Sequence, residues 1–268
     1  MEGSEDNMRL QVLISTMHQV DHSLLDKMNI QSDAIVVNQC DRNEIEEFEY
    51  KGHHIQWMSL KERGVGLSRN TALMRADADI VLFADDDVIY DDGYEKKVID
   101  CFNKYNEKDL LIFRIESTNK DRPTKKETKD HNLSWFNSMR YGAFRIAIRT
   151  AAIRKANVFY SLLFGGGAKY QSGEDTLFIQ QCLRKGLKAA SVQEVLGVVE
   201  QQESTWFKGC NEKYFYDKGV LLSACSGVWA KPLLLLLIIK NKNETNEVGL
   251  AKAIKCSFNG VKDYHKTI

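Results

Sequence analysis

The sequence predicts an α/β fold: a mostly parallel sheet flanked by helices, followed by a C-terminal helical extension. Two observations lead there. Short apolar, β-branched runs stop abruptly at polar residues and alternate with segments of helical spacing, the pattern of a sheet covered on both faces. From about Trp206 the chain changes character, becoming strongly apolar and then polar with several lysines. The chain has 268 residues, enough for one large core without disulfide or metal staples.

The first strand is "LQVLIST", Leu10 to Thr16, and the second is "DAIVVNQCD", Asp33 to Asp41. "DIVLFADDD" follows the same rule, an apolar run ending in carboxylates. Between them "HSLLDKMNI" and "SRNTALMRA" have helical spacing, the second capped by Ser68. "LLIFRI" (Leu110 to Ile115) is a further strand, and "GAFRIAIR" (Gly142 to Arg149) alternates like a half-exposed one. The polar stretch Glu116 to Asn132 reads as a long solvated loop. "LFGGGAKYQSGEDTLFIQQCLRKG" is a glycine-rich loop entering a helix, with Ser172 as cap, Glu174 and Asp175 in the first turn and Gly186 closing it.

In such sheets ligands bind beyond the carboxyl ends of the strands. Those ends carry Ser15 and Thr16, then Asn38 and Gln39, then Asp85, Asp86 and Asp87. Two charges about 5 Å apart repel by roughly 3 kcal/mol at an effective dielectric of about 20. Solvent dissipates such repulsion, and so does a bound divalent cation with oxygen ligands such as Mg²⁺ or Mn²⁺.

Equal numbers of acidic and basic residues, 37 each, give no reason to expect nucleic acid as a partner. The six cysteines are scattered without C-x-x-C spacing, and the opening "MEGSEDNM" is polar. They read as reduced thiols of a cytoplasmic protein. The apolar segment Gly219 to Ile239 is interrupted by Lys231 and Pro232, and "LLLLLII" is far short of the roughly 20 residues that cross a bilayer. Two readings follow: a helix packed on the main domain or at a homodimer contact, and a peripheral membrane anchor with Lys240, Lys242, Lys252 and Lys255 near headgroups.

Taken in order, these motifs resemble glycosyltransferase family 2, the inverting nucleotide-sugar transferases of the GT-A fold. "ISTMH" stands where the family's first strand ends in a P-T-Y-N-like turn, and "NQCD" where the second ends in D-D-G-S. "GVGLSRNTAL" and "FADDDV" match the G-x-x-x-A-R-N helix and the acidic metal motif; "SGED" matches the G-E-D segment with the catalytic base. "ESTWF" (Glu203 to Phe207) resembles the segment closing the catalytic domain.

The resemblance spans Leu10 to Phe207 and implies a catalytic domain over 8–207 with an extension over 208–268. It implies a UDP-sugar donor and a saccharide acceptor, lipid-linked in many relatives that assemble surface or capsular polysaccharides. Asp175 takes the role of general base and Glu174 shapes the acceptor pocket. Ser15, Thr16, Asn38, Gln39, Arg69, Asp85 and Asp86 line the nucleotide site, with Asp86 or Asp85 contacting the ribose, and Asp87 with Asp85 holds Mn²⁺ or Mg²⁺.

Two departures stand out. Asn38 or Gln39 occupies the place of an acidic residue that contacts uracil, and Gln201 and Gln202 stand where many relatives have a histidine. No third protein ligand for the metal is assigned. The alternatives are a sugar nucleotidyltransferase, which wants a glycine-rich, arginine-containing loop in place of "STMHQVDHS", and a non-catalytic carbohydrate-binding or scaffold protein.

Overall fold

The computed structural model describes residues 8–120, 123–124, 127–200 and 209–267. The chain opens with β1 (Leu10–Met17), the single turn α1 (Leu24–Lys27), β2 (Asp33–Gln39), the hairpin β3 (Glu44–Tyr50) and β4 (His53–Leu60), α2 (Val65–Arg75) and β5 (Ile80–Asp85). β6 (Val88–Tyr90), α3 (Tyr94–Lys104), β7 (Leu110–Ser117), β8 (His131–Asn132), β9 (Ile146–Arg149), α4 (Thr150–Ala156), α5 (Glu174–Arg184) and β10 (Ala189–Val199) complete the sheet region.

The strands form one sheet in the order β3-β4-β2-β1-β5-β9-β7-β10-β6, with β8 beside β10. β4, β2, β1 and β5 run parallel; the strand–helix alternation predicts β1, β2 and β5, and β4 is a strand not identified in the sequence. Beyond β5 the sheet is mixed, because β9 enters antiparallel between β5 and β7. Alternation along β1 splits the core in two. Leu10, Val12 and Ile14 face a cluster with Trp57, Tyr94 and Phe102, and Leu13 faces one with Phe83, Ile148 and Phe178.

Two expectations from the sequence are revised, and one hairpin is added that was not identified there. "GAFRIAIR" is a 3₁₀ turn at Ala143–Arg145 followed by a short strand whose Ile146, Ala147 and Ile148 are fully buried. A position inside the sheet covers both faces, which local alternation does not report. The polar stretch after β7 is tied to the fold, since Asp130 accepts from the Gln193 N–H at 2.8 Å and β8 pairs with β10. The hairpin of β3 and β4 turns at Lys51 and Gly52, both at positive φ, as a two-residue hairpin loop requires.

The extension is helical: α6 (Glu212–Ser226), α7 (Ala230–Lys240) and α8 (Leu250–Thr267). α6 and α8 approach so closely that a Cβ on Gly219 would lie 1.9 Å from the Ser257 carbonyl oxygen. Buried Asp217 of α6 accepts from the Gln171 N–H at 3.0 Å and from Lys213 Nζ at 2.6 Å. The extension thereby braces the loop that leads into α5.

Candidate active site

Strand register brings the polar strand ends together. Pairing of β1 with β5 sets Ser15 beside Asp85, and pairing with β2 sets Thr16 beside Asn38. Thr16 Oγ1 donates to Asp86 Oδ2 at 2.5 Å and accepts from Gln19 Nε2 at 2.9 Å. Ser68 Oγ donates to Ser15 Oγ at 2.9 Å, locking α2 to β1.

α2 begins one turn earlier than the sequence predicts. Its cap is Gly64, whose N–H donates to Gln39 Oε1 at 2.7 Å, and Ser68 lies inside the helix. That start carries Arg69 inward, leaving its side chain only 4% exposed. Arg69 Nη2 donates to Asp85 Oδ1 at 2.8 Å and Nη1 to Asp175 Oδ1 at 2.8 Å, with Glu174 Oε1 at 3.5 Å. The guanidinium carbon also sits 5.2 Å from the centre of the Tyr160 ring. Arg69 borders the cavity over these strand ends, but its fork is directed at three carboxylates.

α5 is capped by Gly173 in place of the expected Ser172, and the Ala143 N–H donates to Asp175 Oδ2 at 3.0 Å. Both oxygens of Asp175 are therefore oriented, while its side chain stays 21% exposed. One cation shared among three carboxylates leaves excess negative charge. Burial pushes the Asp175 pKa up, Arg69 opposes that, and Glu174 and Asp85 reinforce it. Gly165 closes the far side. It has φ +105°, and a Cβ there would lie 2.8 Å from Glu174 Cδ, so any other residue is strained and must displace the Glu174 side chain.

A cavity of about 310 Å³ opens over these strand ends, lined by Ser15, Thr16, Gln39, Arg63, Asp85 and Asp86 among others, with Glu174 at its edge. Of the residues singled out in the sequence, Asn38, Asp87 and Asp175 lie off this lining. Asn38 is fully buried. Its Oδ1 accepts from the Gln19 N–H at 3.0 Å and its Nδ2 donates to the Gln19 carbonyl at 2.9 Å, so it shapes the loop after β1. Gln39 does face the cavity, with its oxygen held by Gly64.

Arg63 was missed in the sequence, although it stands in "KERG", Lys61 to Gly64, just ahead of α2. It is held at the rim by Asp41 at 2.6 Å and the Cys40 carbonyl at 2.8 Å.

Asp87 sits in the tight turn between β5 and β6, and its carbonyl accepts from the Glu200 N–H at 3.1 Å. Burial, then Asp85 and Asp86, push its carboxyl up to about 6. Lys27 opposes the shift without cancelling it, and a divalent ion at a carboxyl raised by burial and two neighbouring carboxylates would relieve it. Among the described residues no three His, Cys, Asp or Glu side chains form a complete metal cage. Two aspartates plus substrate phosphate oxygens suit Mg²⁺ or Mn²⁺, which binds through few protein ligands. Gln201, Gln202 and "ESTWF" lie outside the described residues.

Several solved structures share this architecture. A fragment of S. aureus TarS, residues 1–349 in complex with UDP-GlcNAc, has a TM-score of 0.63 at 13% identity, covering 96% of this chain and 80% of that one. The same fragment with UDP gives 0.60 at 14%, covering 97% and 92%. TarS itself gives 0.60 at 14%, covering 90% of this chain and 44% of that one. No curated protein matches the chain. The likeness to TarS establishes the GT-A fold. The model of the family described as glycosyl transferase family 2 matches residues 15–161, from the end of β1 through α2 with Arg69 and the aspartate turn. With more than half of its length inside that match, the chain belongs to glycosyl transferase family 2.

Proposed function

We propose that the protein transfers a sugar from a UDP-sugar to a hydroxyl of a saccharide acceptor, with inversion at the anomeric carbon, in surface or capsular polysaccharide assembly. The observation that carries this reading is the Arg69 bridge. One buried guanidinium ties Asp85, at the nucleotide cavity, to Asp175 and Glu174 at the start of α5. Donor and acceptor machinery are thus held in one rigid unit, as a displacement between two bound substrates needs.

The cavity takes the nucleotide, with Gln39 and Arg63 at its rim and Asp86 oriented by Thr16. Asp87 and Asp85 would hold Mn²⁺ or Mg²⁺, which when bound supplies positive charge to the departing diphosphate. Asp175 accepts the proton of the attacking hydroxyl. The new bond forms from that oxygen to the anomeric carbon as the bond to the diphosphate breaks. A raised carboxyl suits the task, because a base works best when its pKa lies near the working pH. Arg69 and the Ala143 N–H keep it aimed.

The comparison with TarS bound to UDP and UDP-GlcNAc supports the uridine donor. All six cysteines are unpaired, which suits work on the cytoplasmic side. The test is thermal stabilisation by UDP, dTDP, GDP and CMP, each with and without Mn²⁺. A metal-dependent shift with UDP is expected. Indifference to every nucleotide, together with no turnover of UDP-sugars, would leave a carbohydrate-binding protein with a spent site.

A further inference from the structure

The outer side of α7 and the loop beside it form an apolar face unrelated to the cavity over the strand ends. Phe136 is 87% exposed and Trp229 69%, and Val228, Leu236 and Ile239 are exposed as well. A groove of about 620 Å³ runs between them, lined by Trp135, Phe136, Arg184, Trp229, Leu233 and Leu236 among others. The exposure is built in, not frayed. Trp135 Nε1 donates to the Cys225 carbonyl at 3.1 Å, and Gln180 Nε2 donates to the Trp135 carbonyl at 3.0 Å.

α7 has two apolar faces. Ala230, Leu234 and Ile238 are buried, and Leu234 and Ala230 pack with Leu222 and Val261. Pro232, Leu236 and Ile239, at spacing i, i+4 and i+7, share the opposite side. By length and composition Glu212–Lys240 would suffice to cross a bilayer. Yet the helix breaks at Gly227, and α6 ahead of the break packs against α8 and carries buried Asp217. α7 alone has 11 residues, about 16 Å of helix, roughly half a hydrocarbon core. The geometry is that of a helix lying on a surface.

Charge names the surface. From Ser226 to Asn243 the chain carries Lys231, Lys240 and Lys242 and no aspartate or glutamate. The groove adds Arg184, again without a carboxylate in its lining. Lysine is depleted from protein–protein contacts, whereas lysine and tryptophan flanking a short apolar helix fit a headgroup layer. Their stems cover apolar surface while the ammonium groups reach anionic phosphates.

We infer that α7 and the Trp135–Phe136 loop dock the protein on an anionic phospholipid bilayer. Trp229, Leu236, Ile239 and Phe136 enter the interface, and Lys231, Lys240 and Lys242 meet the headgroups. α5 runs from Glu174 at the cavity edge to Arg184 in this groove, so about 16 Å of helix separates the catalytic carboxylates from the docking face.

The test is co-sedimentation of the full chain with vesicles of phosphatidylglycerol and phosphatidylcholine, and with vesicles of phosphatidylcholine alone. Binding to the anionic vesicles is expected. A W229E/L236E/I239E variant should lose at least 10-fold in partitioning while keeping its melting temperature and nucleotide response. A K231Q/K240Q/K242Q variant should lose the preference for anionic lipid by on the order of 100-fold. A wild-type chain that stays in the supernatant with both vesicles overturns the inference. So does sedimentation-velocity evidence that the triple glutamate change only dissolves a dimer, which would make this face a contact between copies. Neither outcome touches the transferase reading, whose test needs no lipid.

Discussion

Arg69 and Asp175 are separated by 106 residues of chain, yet Arg69 Nη1 stands 2.8 Å from Asp175 Oδ1. The same guanidinium holds Asp85 at 2.8 Å through its other nitrogen. The arginine thus keeps two parts of the sequence in fixed relation, the aspartate turn and the start of α5.

Removing the arginine should therefore do more than weaken nucleotide binding. Arg69→Ala leaves three carboxylates around a nearly buried void, and breaking such a pair costs about 3–5 kcal/mol. The expected result is a lower melting temperature together with loss of transfer. Arg69→Lys keeps the charge but not the fork that reaches Asp85 and Asp175 at once, so it should fold and remain poorly active. Denaturant titration and a turnover assay check both. A fully active lysine variant would remove the bridge from the mechanism.

Asp175→Asn keeps the shape of the side chain and removes its proton-accepting charge. Donor binding, measured calorimetrically with UDP and Mn²⁺, should change little, and transfer should fall by about 10²- to 10⁴-fold. Equal loss of binding and transfer would mean that Asp175 serves structure instead of proton transfer.

Asp87 makes stability depend on pH and metal in a definite sense. Its carboxyl is raised in the folded, metal-free protein, to about 6. The folded state therefore holds more protons than the unfolded state between about pH 4 and 6, and stability falls as pH rises through that window. The contribution is complete below about pH 4 and gone above about pH 6 to 7, worth about 1–2 kcal/mol after solvent screening. Asp175 acts in the same direction. Melting of the metal-free protein should show this fall, Asp87→Asn should reduce it, and Mn²⁺ at pH 7.5 should restore stability. A wild-type fall that Asp87→Asn leaves undiminished would contradict the assignment.

Gly165→Ala is expected to be a small change with a large effect. It places a Cβ at φ +105° and within 2.8 Å of Glu174 Cδ and Val65 Cγ1. Strain of about 1–3 kcal/mol, absorbed by moving Glu174, should lower acceptor-dependent turnover more than donor binding. A variant with unchanged acceptor kinetics would show that Glu174 does not shape the acceptor side.

Thr16→Val removes the hydrogen bond to Asp86 and leaves the β-branched shape that the strand prefers. With a charged acceptor deprived of its donor, nucleotide affinity should fall by roughly 10-fold or more. The nucleotide-induced melting shift reads this directly. An unchanged shift would show that Asp86 needs no support from Thr16.

Local sequence by itself determined three of the four strands of the parallel half, β1, β2 and β5, and not β4. β1, β2 and β5 are continuous apolar runs because both faces of those strands are covered, and such runs are visible without tertiary information. The polar strand ends were visible too, since Ser15, Thr16, Gln39 and Asp85 interrupt those runs abruptly. Tertiary structure decided the rest. The place of β9 inside the sheet follows from pairing with β5 and β7, which distant residues supply. The division between Asn38 and Gln39 follows from strand pleat and from which backbone groups stand nearby; Asn38 holds Gln19, and Gln39 reaches the cavity. Arg69 reads in sequence as a polar residue on a helix, but the early start of α2 at Gly64 turns it inward among carboxylates from β5 and α5. A residue type and its spacing reveal what chemistry is on hand. Which charges share a buried space, and so how strongly each holds its proton, is set only when the chain brings them together.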